Sequence, residues 1–374
     1  MAAAFFLYLW QSTKFTGRLF VAIPQAGWRR LPLRLMLFVA VWLAYVLITG
    51  LHWLGFACDE LFFRRYRTIA IRKPLMVLGI PRSGTTWLQR VLARDPNLSS
   101  LTLWEALLAP SISQRWLARR LAPVGRPIAA LLKRLPLTGA MDAIHEIRLT
   151  EPEEDFLLLL PLQACFLGVF LCPRSQRYWQ LADFDRQIGP RERKIIMRFY
   201  RRCLQKHLYV HGEHLTILSK NPSFTPFIRS LREAFPDACM IACIRPPEEA
   251  VPSQLSSVGP ALTLLGQALP EPEFHARMLS LLHRYYEILG AESDSIALLG
   301  MDALREDLQH SVKKLYQRFA MVMPAEFEEA LLALSQRGQN YRSAHTYELL
   351  QFGLSPASIA QTYADCWPIA LAEE

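Results

Sequence analysis

The side chains with the clearest chemical use lie in residues 75–92, LMVLGIPRSGTTWLQRVL. Arg82, Ser83, Thr85 and Thr86 bring one cation and three hydroxyls into a loop punctuated by Gly79 and Gly84. Hydroxyl donors, a cation and glycines that let backbone amides come close are what a bound phosphate or sulfate group needs. The run from Gly79 to Gly84 has the G-x-x-x-x-G spacing of nucleotide phosphate loops. A nucleoside-triphosphate loop would continue with Lys and then Ser or Thr. Here Gly84 is followed by Thr85 and Thr86, so the lysine that reaches the β- and γ-phosphates is absent. The plainer alternative is a glycine turn that binds nothing.

The elements that must hold this loop are legible on both sides of it. Leu75 to Ile80 reads as a buried strand, and Trp87, Leu88, Val91 and Leu92 as the apolar face of a helix. Strand, glycine loop and helix together aim amides and the positive end of a helix dipole at one point. The order recurs in residues 215–257. Leu215–Ser219 and Cys239–Ile244 read as strands, with a helical stretch through Phe227, Leu231 and Phe235 between them and another over 248–257. This alternation predicts a parallel sheet with right-handed crossovers. Lys220 and Arg245 fall just past the carboxyl ends of their strands, the edge where open α/β sheets bind ligands. Taken singly, each is an ordinary surface cation beside a turn.

Pro81-Arg82-Ser83-Gly84-Thr85-Thr86-Trp87 resembles the 5′-phosphosulfate loop of sulfotransferases that use 3′-phosphoadenosine-5′-phosphosulfate (PAPS), a family that includes the tyrosylprotein enzymes. Arg245 and Ser253, eight residues apart, resemble the pair that holds the 3′-phosphate of PAPS. The family's Arg-Asp-Pro is Arg245-Pro246-Pro247 here, so the Asp partner is missing. Lys220 matches the strand-end lysine that, by resemblance, stabilises the leaving phosphate oxygen. A weaker resemblance runs through 295–319 and 340–363, with Met301-Asp302-Ala303-Leu304 where the family usually has Tyr-Glu-Asp-Leu. It covers about residues 70–365. It implies an α/β fold, a P-loop-like three-layer sandwich around a central parallel sheet, with PAPS as cosubstrate and Arg82, Ser83, Gly84, Thr85, Thr86, Trp87, Arg245 and Ser253 as its binding residues. No metal is implied, because the donor already carries an activated sulfuryl group.

Sulfuryl transfer to a hydroxyl or amine also needs a base for the acceptor proton. Glu105, in Leu103-Trp104-Glu105, is the first candidate, since related enzymes place a catalytic Glu in this zone; the spacing here is two residues longer. His145 is the second, because imidazole titrates near neutrality. Glu154, in the acidic stretch 151–155, is the third. Each has a structural reading beside it: a helix-start carboxylate, a loop histidine and the acidic first turn of a helix.

Composition supplies the setting. Of the 374 residues, 52% are hydrophobic, and the excess is concentrated at the N-terminus. Leu35 to Cys58 runs 24 residues without Asp, Glu, Lys or Arg. As a helix it would extend about 36 Å, enough for a hydrocarbon core of about 30 Å. Trp42, Tyr45 and Trp53 are candidate interfacial aromatics. Residues 1–23, broken by Lys14 and Arg18, look interfacial. Basic residues on both sides of 35–58 give no clean orientation and suit a hairpin or in-plane anchor with both ends on the cytoplasmic face. The chain therefore divides into a hydrophobic helical anchor, 1–67, and a sulfotransferase domain, 68–374. A net charge of +9 fits an anionic cosubstrate and an anionic membrane, while no nucleic-acid module is recognisable.

Seven cysteines without a CxxC pair favour a reduced compartment, so the catalytic domain is expected in the cytoplasm, with a Golgi lumenal location as the alternative. Arg115–Arg134, rich in arginine, reads most simply as a solvated helix face. Phe156–Phe170 could line an acceptor pocket or pack on the anchor. The anchor suggests a lipid, glycolipid or other amphiphile as acceptor. A P-loop kinase or other NTPase, or a non-catalytic membrane protein that binds a nucleotide, are the alternatives.

Overall fold

Leu75–Gly79 is apolar at every position because both its faces are covered. Leu75 and Val77 point into one core, Met76 and Leu78 into the other. A strand sandwiched this way reads as a continuous apolar run rather than an alternation. A computed structural model describes residues 1–22, 31–121, 149–264, 272–338 and 352–369. Its central strand is β1 (Leu75–Gly79), joined by β2 (Leu98–Ser99), β3 (Thr216–Lys220), β4 (Cys239–Ile244) and β5 (Ala297–Gly300). The sheet order is β2-β3-β1-β4-β5, and every pairing is parallel. From β1 the chain passes to β2 at one edge, returns to β3 beside β1, and then crosses to β4 and β5 on the other side. The order therefore reverses beside β1, which puts the loop after it at the topological switch point.

The helices include α1 (Ala2–Ala22), α2 (Leu31–Phe62), α3 (Thr85–Leu92), α4 (Leu103–Leu107), α5 (Pro190–His211), α6 (Ile228–Ala234), α7 (Pro247–Leu264), α8 (Pro272–Ala291) and α9 (Leu308–Arg318). α3 and α9 contribute Leu88, Val91, Leu92, Leu308, Val312 and Leu315 to the core on one face of the sheet. α5 to α8 fill the other, with Phe199, Leu231, Val251 and Leu282 among their buried residues. This is the three-layer α/β sandwich with a central parallel sheet that the sequence predicts. The helical stretch expected through Phe227 and Phe235 is split. A 3-10 turn, Pro222–Phe227, precedes α6, since Pro222 and Pro226 have no N–H to give an α-helical ladder.

At the N-terminus, α1 and α2 run antiparallel. Phe5 lies against Trp53 (ring centroids 5.1 Å), the Tyr8 hydroxyl meets Thr49 (3.2 Å), and Ser12 meets the Tyr45 hydroxyl (2.9 Å). Among the described residues, Arg34–Phe62 is the one helix long and apolar enough to cross a membrane, with mean hydropathy 2.1. Tyr45 and Trp53 are not at a lipid interface but buried. Tyr45 needs a hydroxyl partner, which Ser12 supplies, and Trp53 packs on Phe56 and Phe199. Across the 67/68 boundary, Lys206 of α5 donates to Asp59 of α2 at 2.6 Å, with both side chains fully buried. The Asp59 carboxylate also accepts from the amides of Ile112 and Ser113. A buried, hydrogen-bonded pair of this kind costs about 3–5 kcal/mol to break from one side, so α2 is held fast to α5.

Candidate active site

The loop after β1 reverses direction through three residues with left-handed backbone: Gly79 (φ +125°), Arg82 (+69°) and Gly84 (+84°). At Gly79 a Cβ would stand 2.1 Å from the Cys243 carbonyl oxygen, so the glycine is what lets β1 and β4 close at their carboxyl ends. Thr225 ties off the same turn. Its hydroxyl accepts from the Gly79 amide (3.0 Å) and donates to the Gly79 carbonyl (2.8 Å). Gly84 is the residue before α3, and no side chain caps that helix, so its first-turn amides stay available to an outside acceptor. The Ser83 hydroxyl beneath the loop is fully buried and has no hydrogen-bond partner among the described residues. Unmet donors around a glycine cradle at a helix N-terminus fit an anion such as the phosphosulfate of PAPS.

A cleft of about 530 Å³ opens at this sheet edge. Arg82, Gly84, Thr85, Thr86, Trp87, Arg245 and Ser253 all line it. Arg82 Nε donates to Ser253 Oγ (3.2 Å), and Arg245 Nη1 donates to the Arg82 carbonyl (3.3 Å), so both halves of the expected site meet. The partner missing from Arg245-Pro246-Pro247 is replaced one helical turn later. Glu249 Oε2 accepts from Arg245 Nε (2.8 Å) and Nη2 (2.5 Å). The i, i+4 spacing of Arg245 and Glu249 was the available sequence signal. The Tyr286 hydroxyl of α8 also holds the Arg245 carbonyl (2.6 Å). The opposite wall is apolar, with Phe156, Phe166, Leu167, Phe170, Met278 and Leu281. Phe156–Phe170 thus lines the cleft at both its ends.

Lys220 is buried at the end of β3, and its Nζ donates to Glu154 Oε1 at 2.8 Å. Glu154 is the carboxylate on the cleft wall, and the residue before it is pinned at both its amide and its carbonyl. The Glu153 amide donates to the Leu101 carbonyl (3.0 Å), and Gln89 Nε2 of α3 donates to the Glu153 carbonyl (3.2 Å). The Asp155 carboxylate accepts from the Tyr200 hydroxyl (2.6 Å), the Ser219 hydroxyl (3.0 Å) and Asn221 Nδ2. Burial pushes the Asp155 carboxyl up to about 6 in spite of these three donors. Gln89, Asp155 and Tyr200 position the Lys220–Glu154 pair. No local spacing marks them, because the contacts join residues far apart in sequence.

Glu105 does not line the cleft. It sits in α4, where its carboxylate accepts from the Thr102 amide (3.1 Å) and hydroxyl (2.9 Å) at the helix start. Its other oxygen meets His211 Nε2 (2.6 Å) and lies 3.6 Å from Arg115 Nη1. Burial alone would raise this carboxyl, but the His211 hydrogen bond and the Arg115 charge outweigh it and hold it well below the ordinary carboxylate range. Arg115 is 1% exposed, not on a solvated face, because Glu105 and the Ala109 carbonyl (2.8 Å) draw it inward. Burial, and then the Arg115 charge, push His207 far down, so its imidazole is neutral. Glu105, His207 and His211 offer ligand atoms within 4.8 Å of one another, as do His283, Asp365 and Cys366. In the first group the Arg115 guanidinium, 3.3 Å from His207 Nδ1, already supplies the cation. His145 lies outside the described residues.

The sulfotransferase family model matches residues 74–323, well over half of the chain and the whole of this cleft's sheet edge. The chain belongs to the sulfotransferase family. It is 29% identical over 248 residues to omega-hydroxy-beta-dihydromenaquinone-9 sulfotransferase Stf3 of Mycobacterium bovis and of Mycobacterium tuberculosis. The match takes in 63% of this chain, which spans 60% of the length of those curated relatives. Among solved structures, sulfotransferase STF1 from M. tuberculosis H37Rv aligns with TM-score 0.67 at 20% identity, over 95% of this chain and 92% of that one. STF9 from Mycobacterium avium aligns with TM-score 0.71 at 20% identity, over 90% and 87%. At that identity the likeness shows the fold. The fold is that of sulfotransferases.

Proposed function

We propose that this enzyme moves the sulfuryl group of PAPS to the hydroxyl of a lipid or other amphiphile at a membrane, releasing adenosine 3′,5′-bisphosphate. The observation that carries the reading is the meeting of Arg82, Ser253 and Arg245 beside an uncapped α3 N-terminus and the unpartnered Ser83 hydroxyl. In this reading the amides of 84–86 and the hydroxyls of Ser83, Thr85 and Thr86 hold the phosphosulfate, with Trp87 on the cleft wall beside them. Arg245 and Ser253 hold the 3′-phosphate, where a planar guanidinium and a hydroxyl suit a terminal dianion. The donor supplies an activated sulfuryl group. Lys220 neutralises the charge that develops on the leaving oxygen.

Glu154, rather than Glu105, takes the acceptor proton. Its carboxylate faces the cleft and touches Lys220, whereas Glu105 is committed to Arg115 and His211. The apolar wall from Phe156 to Phe170 supports an acceptor with a hydrocarbon part, and Stf3, by name, acts on a hydroxylated menaquinone. The hydrophobic segment 1–67 supports membrane attachment, with domain 68–374 on the cytoplasmic side. A kinase or NTPase reading lacks the loop lysine.

The test is transfer of radiolabelled sulfate from PAPS to a total lipid extract by the full chain. Label in a lipid product, lost in Lys220→Ala and in Glu154→Gln, is the expected result. Label only in small water-soluble acceptors would remove the lipid part of the proposal, and no transfer to any acceptor would remove the whole.

A further inference from the structure

The residues of α2 are distributed the wrong way round for a helix in water. Every exposed residue from Leu35 to its end is apolar, among them Met36, Leu43, Leu47, Leu54 and Phe62. The polar residues Arg34, Thr49, His52 and Asp59 are on the buried side. Leu47 is 65% and Phe62 74% exposed, values at which a water-facing helix carries charge. α1 repeats the pattern with Phe5, Phe6, Trp10 and Phe20 exposed. Two helices that share one continuous apolar outer surface need an apolar medium to cover it.

The buried side decides how that medium is met. α2 touches the catalytic domain through Trp53 and Phe56, both against Phe199 of α5, and through the Asp59–Lys206 pair near its end. α1 touches it through Gln11, which donates to Glu192 (3.3 Å), and through Arg18, 5.7 Å above the Tyr178 ring. α5 carries Arg191, Arg193, Arg198, Arg201 and Arg202, and would be drawn into hydrocarbon if α2 stood upright in a bilayer. A 32-residue helix is about 48 Å long, well beyond the roughly 30 Å of a hydrocarbon core.

We infer that α1 and α2 form an in-plane, monotopic docking surface that sinks its outer face into one leaflet of an anionic bilayer, with the whole catalytic domain on one side. The rim favours lipid over a second copy of the chain. Lys14 lies exposed over the Trp10 ring at 4.3 Å, and Arg64 is exposed two residues after Phe62. Aromatic and aliphatic groups flanked by cations match the headgroup boundary. The site adjoins this surface too. The 3-10 turn Asp155–Leu162 packs against both α1 and α2, and Phe156 in its first turn lines the cleft. The inference extends the membrane attachment proposed above and is independent of the reaction chemistry.

The test uses the full chain and reads location, not sulfuryl transfer, so its failure is distinct from failure of the reaction assigned above. Sealed vesicles of phosphatidylcholine and phosphatidylglycerol are floated with wild type and with a Leu47→Glu/Leu54→Glu variant. The expected result is flotation of wild type and about a tenfold smaller floating fraction for the variant, with an unchanged melting temperature. Independently, Leu31→Cys and Arg64→Cys, at the two ends of α2, are expressed in cells. Sealed inside-out membrane vesicles are then treated with an impermeant maleimide. In-plane docking labels both sites above the parent background from the same side. Labelling of only one site would mean that α2 spans, and overturns the inference. So would a soluble dimer that does not float and that the Leu47→Glu/Leu54→Glu changes dissociate.

Discussion

Lys220 Nζ and Glu154 Oε1 stand 2.8 Å apart behind the cleft wall that Glu154 lines, brought together across 66 residues by β3 and the extended backbone at Glu154. The lysine is 1% exposed and the glutamate 27%, so the pair has one foot in the core and one in the cleft. In the reaction proposed above, the cation for the leaving oxygen and the carboxylate for the acceptor proton are thus adjacent before any substrate arrives. Glu154→Gln is predicted to lower kcat about 10²- to 10⁴-fold, the usual worth of a general base, with donor affinity within about twofold of wild type. Rapid-mix kinetics and nucleotide titration on one preparation check both. An equal loss of nucleotide affinity would make Glu154 a donor-site residue instead.

Glu105→Gln is predicted to act on stability. Removing the carboxylate strands the fully buried Arg115 and should cost about 3–5 kcal/mol. The sign with pH follows from the depressed carboxyl. Its contribution is present above the unfolded-chain value of 4.5 and is lost as pH falls below it. Wild type should therefore lose stability on acidification below about pH 4.5 more steeply than the Gln variant. Urea unfolding at pH 7 and pH 4 measures this, and a Gln variant with wild-type stability at pH 7 would contradict it.

Asp155 runs in the opposite sense. Burial raises its carboxyl from 3.8 to about 6, so its contribution is full below 3.8 and is lost as pH rises through about 6. An Asp155→Asn variant should gain on wild type between pH 4 and pH 7, read as a difference in melting temperature that grows with pH. A difference independent of pH would mean that Tyr200, Ser219 and Asn221 stabilise the ionised form fully.

The two loop glycines should fail differently. At Gly84 a Cβ meets only side-chain atoms, closest of them Met301 Sδ in a flexible side chain, with Leu304 Cδ1 at 3.7 Å. Gly84→Ala should fold with a loss of about 1–2 kcal/mol from its left-handed backbone and bind donor more weakly. At Gly79 the obstacle is the Cys243 backbone, which cannot step aside, so Gly79→Ala should cost about 3 kcal/mol or more. Thermal melts of both variants give the comparison. Equal losses would mean that the loop relaxes freely at Gly79.

The sheet and the anion loop were legible in the sequence because their signals are local. Leu75–Gly79 and Cys239–Ile244 are unbroken apolar runs, since helices cover both faces. Gly79, Gly84 and the Arg245–Ser253 spacing are fixed by backbone geometry within a few residues. The pairing of carboxylates with cations was not legible. Glu105 is a lone acid and Glu154 one of four in 151–155, but neither setting names a partner, and only tertiary contacts send one to Arg115 and the other to Lys220. Tyr45 and Trp53 misled for a related reason. Apolar composition marks α2 as lipid-seeking, but the side of a helix that meets protein is decided by partners such as Ser12, Phe199 and Lys206.

Calorimetric titration of adenosine 3′,5′-bisphosphate and of ATP into wild type and Arg245→Ala tests the donor site most directly. The bisphosphate should bind in preference to ATP. Arg245→Ala should weaken it about 10- to 100-fold, the worth of a charge-assisted fork of about 1.5–3 kcal/mol. Glu249→Ala should give a smaller loss with unchanged melting temperature, since a half-exposed ion pair contributes little stability. Preference for ATP, or binding of the bisphosphate indifferent to Arg245, would contradict this donor site.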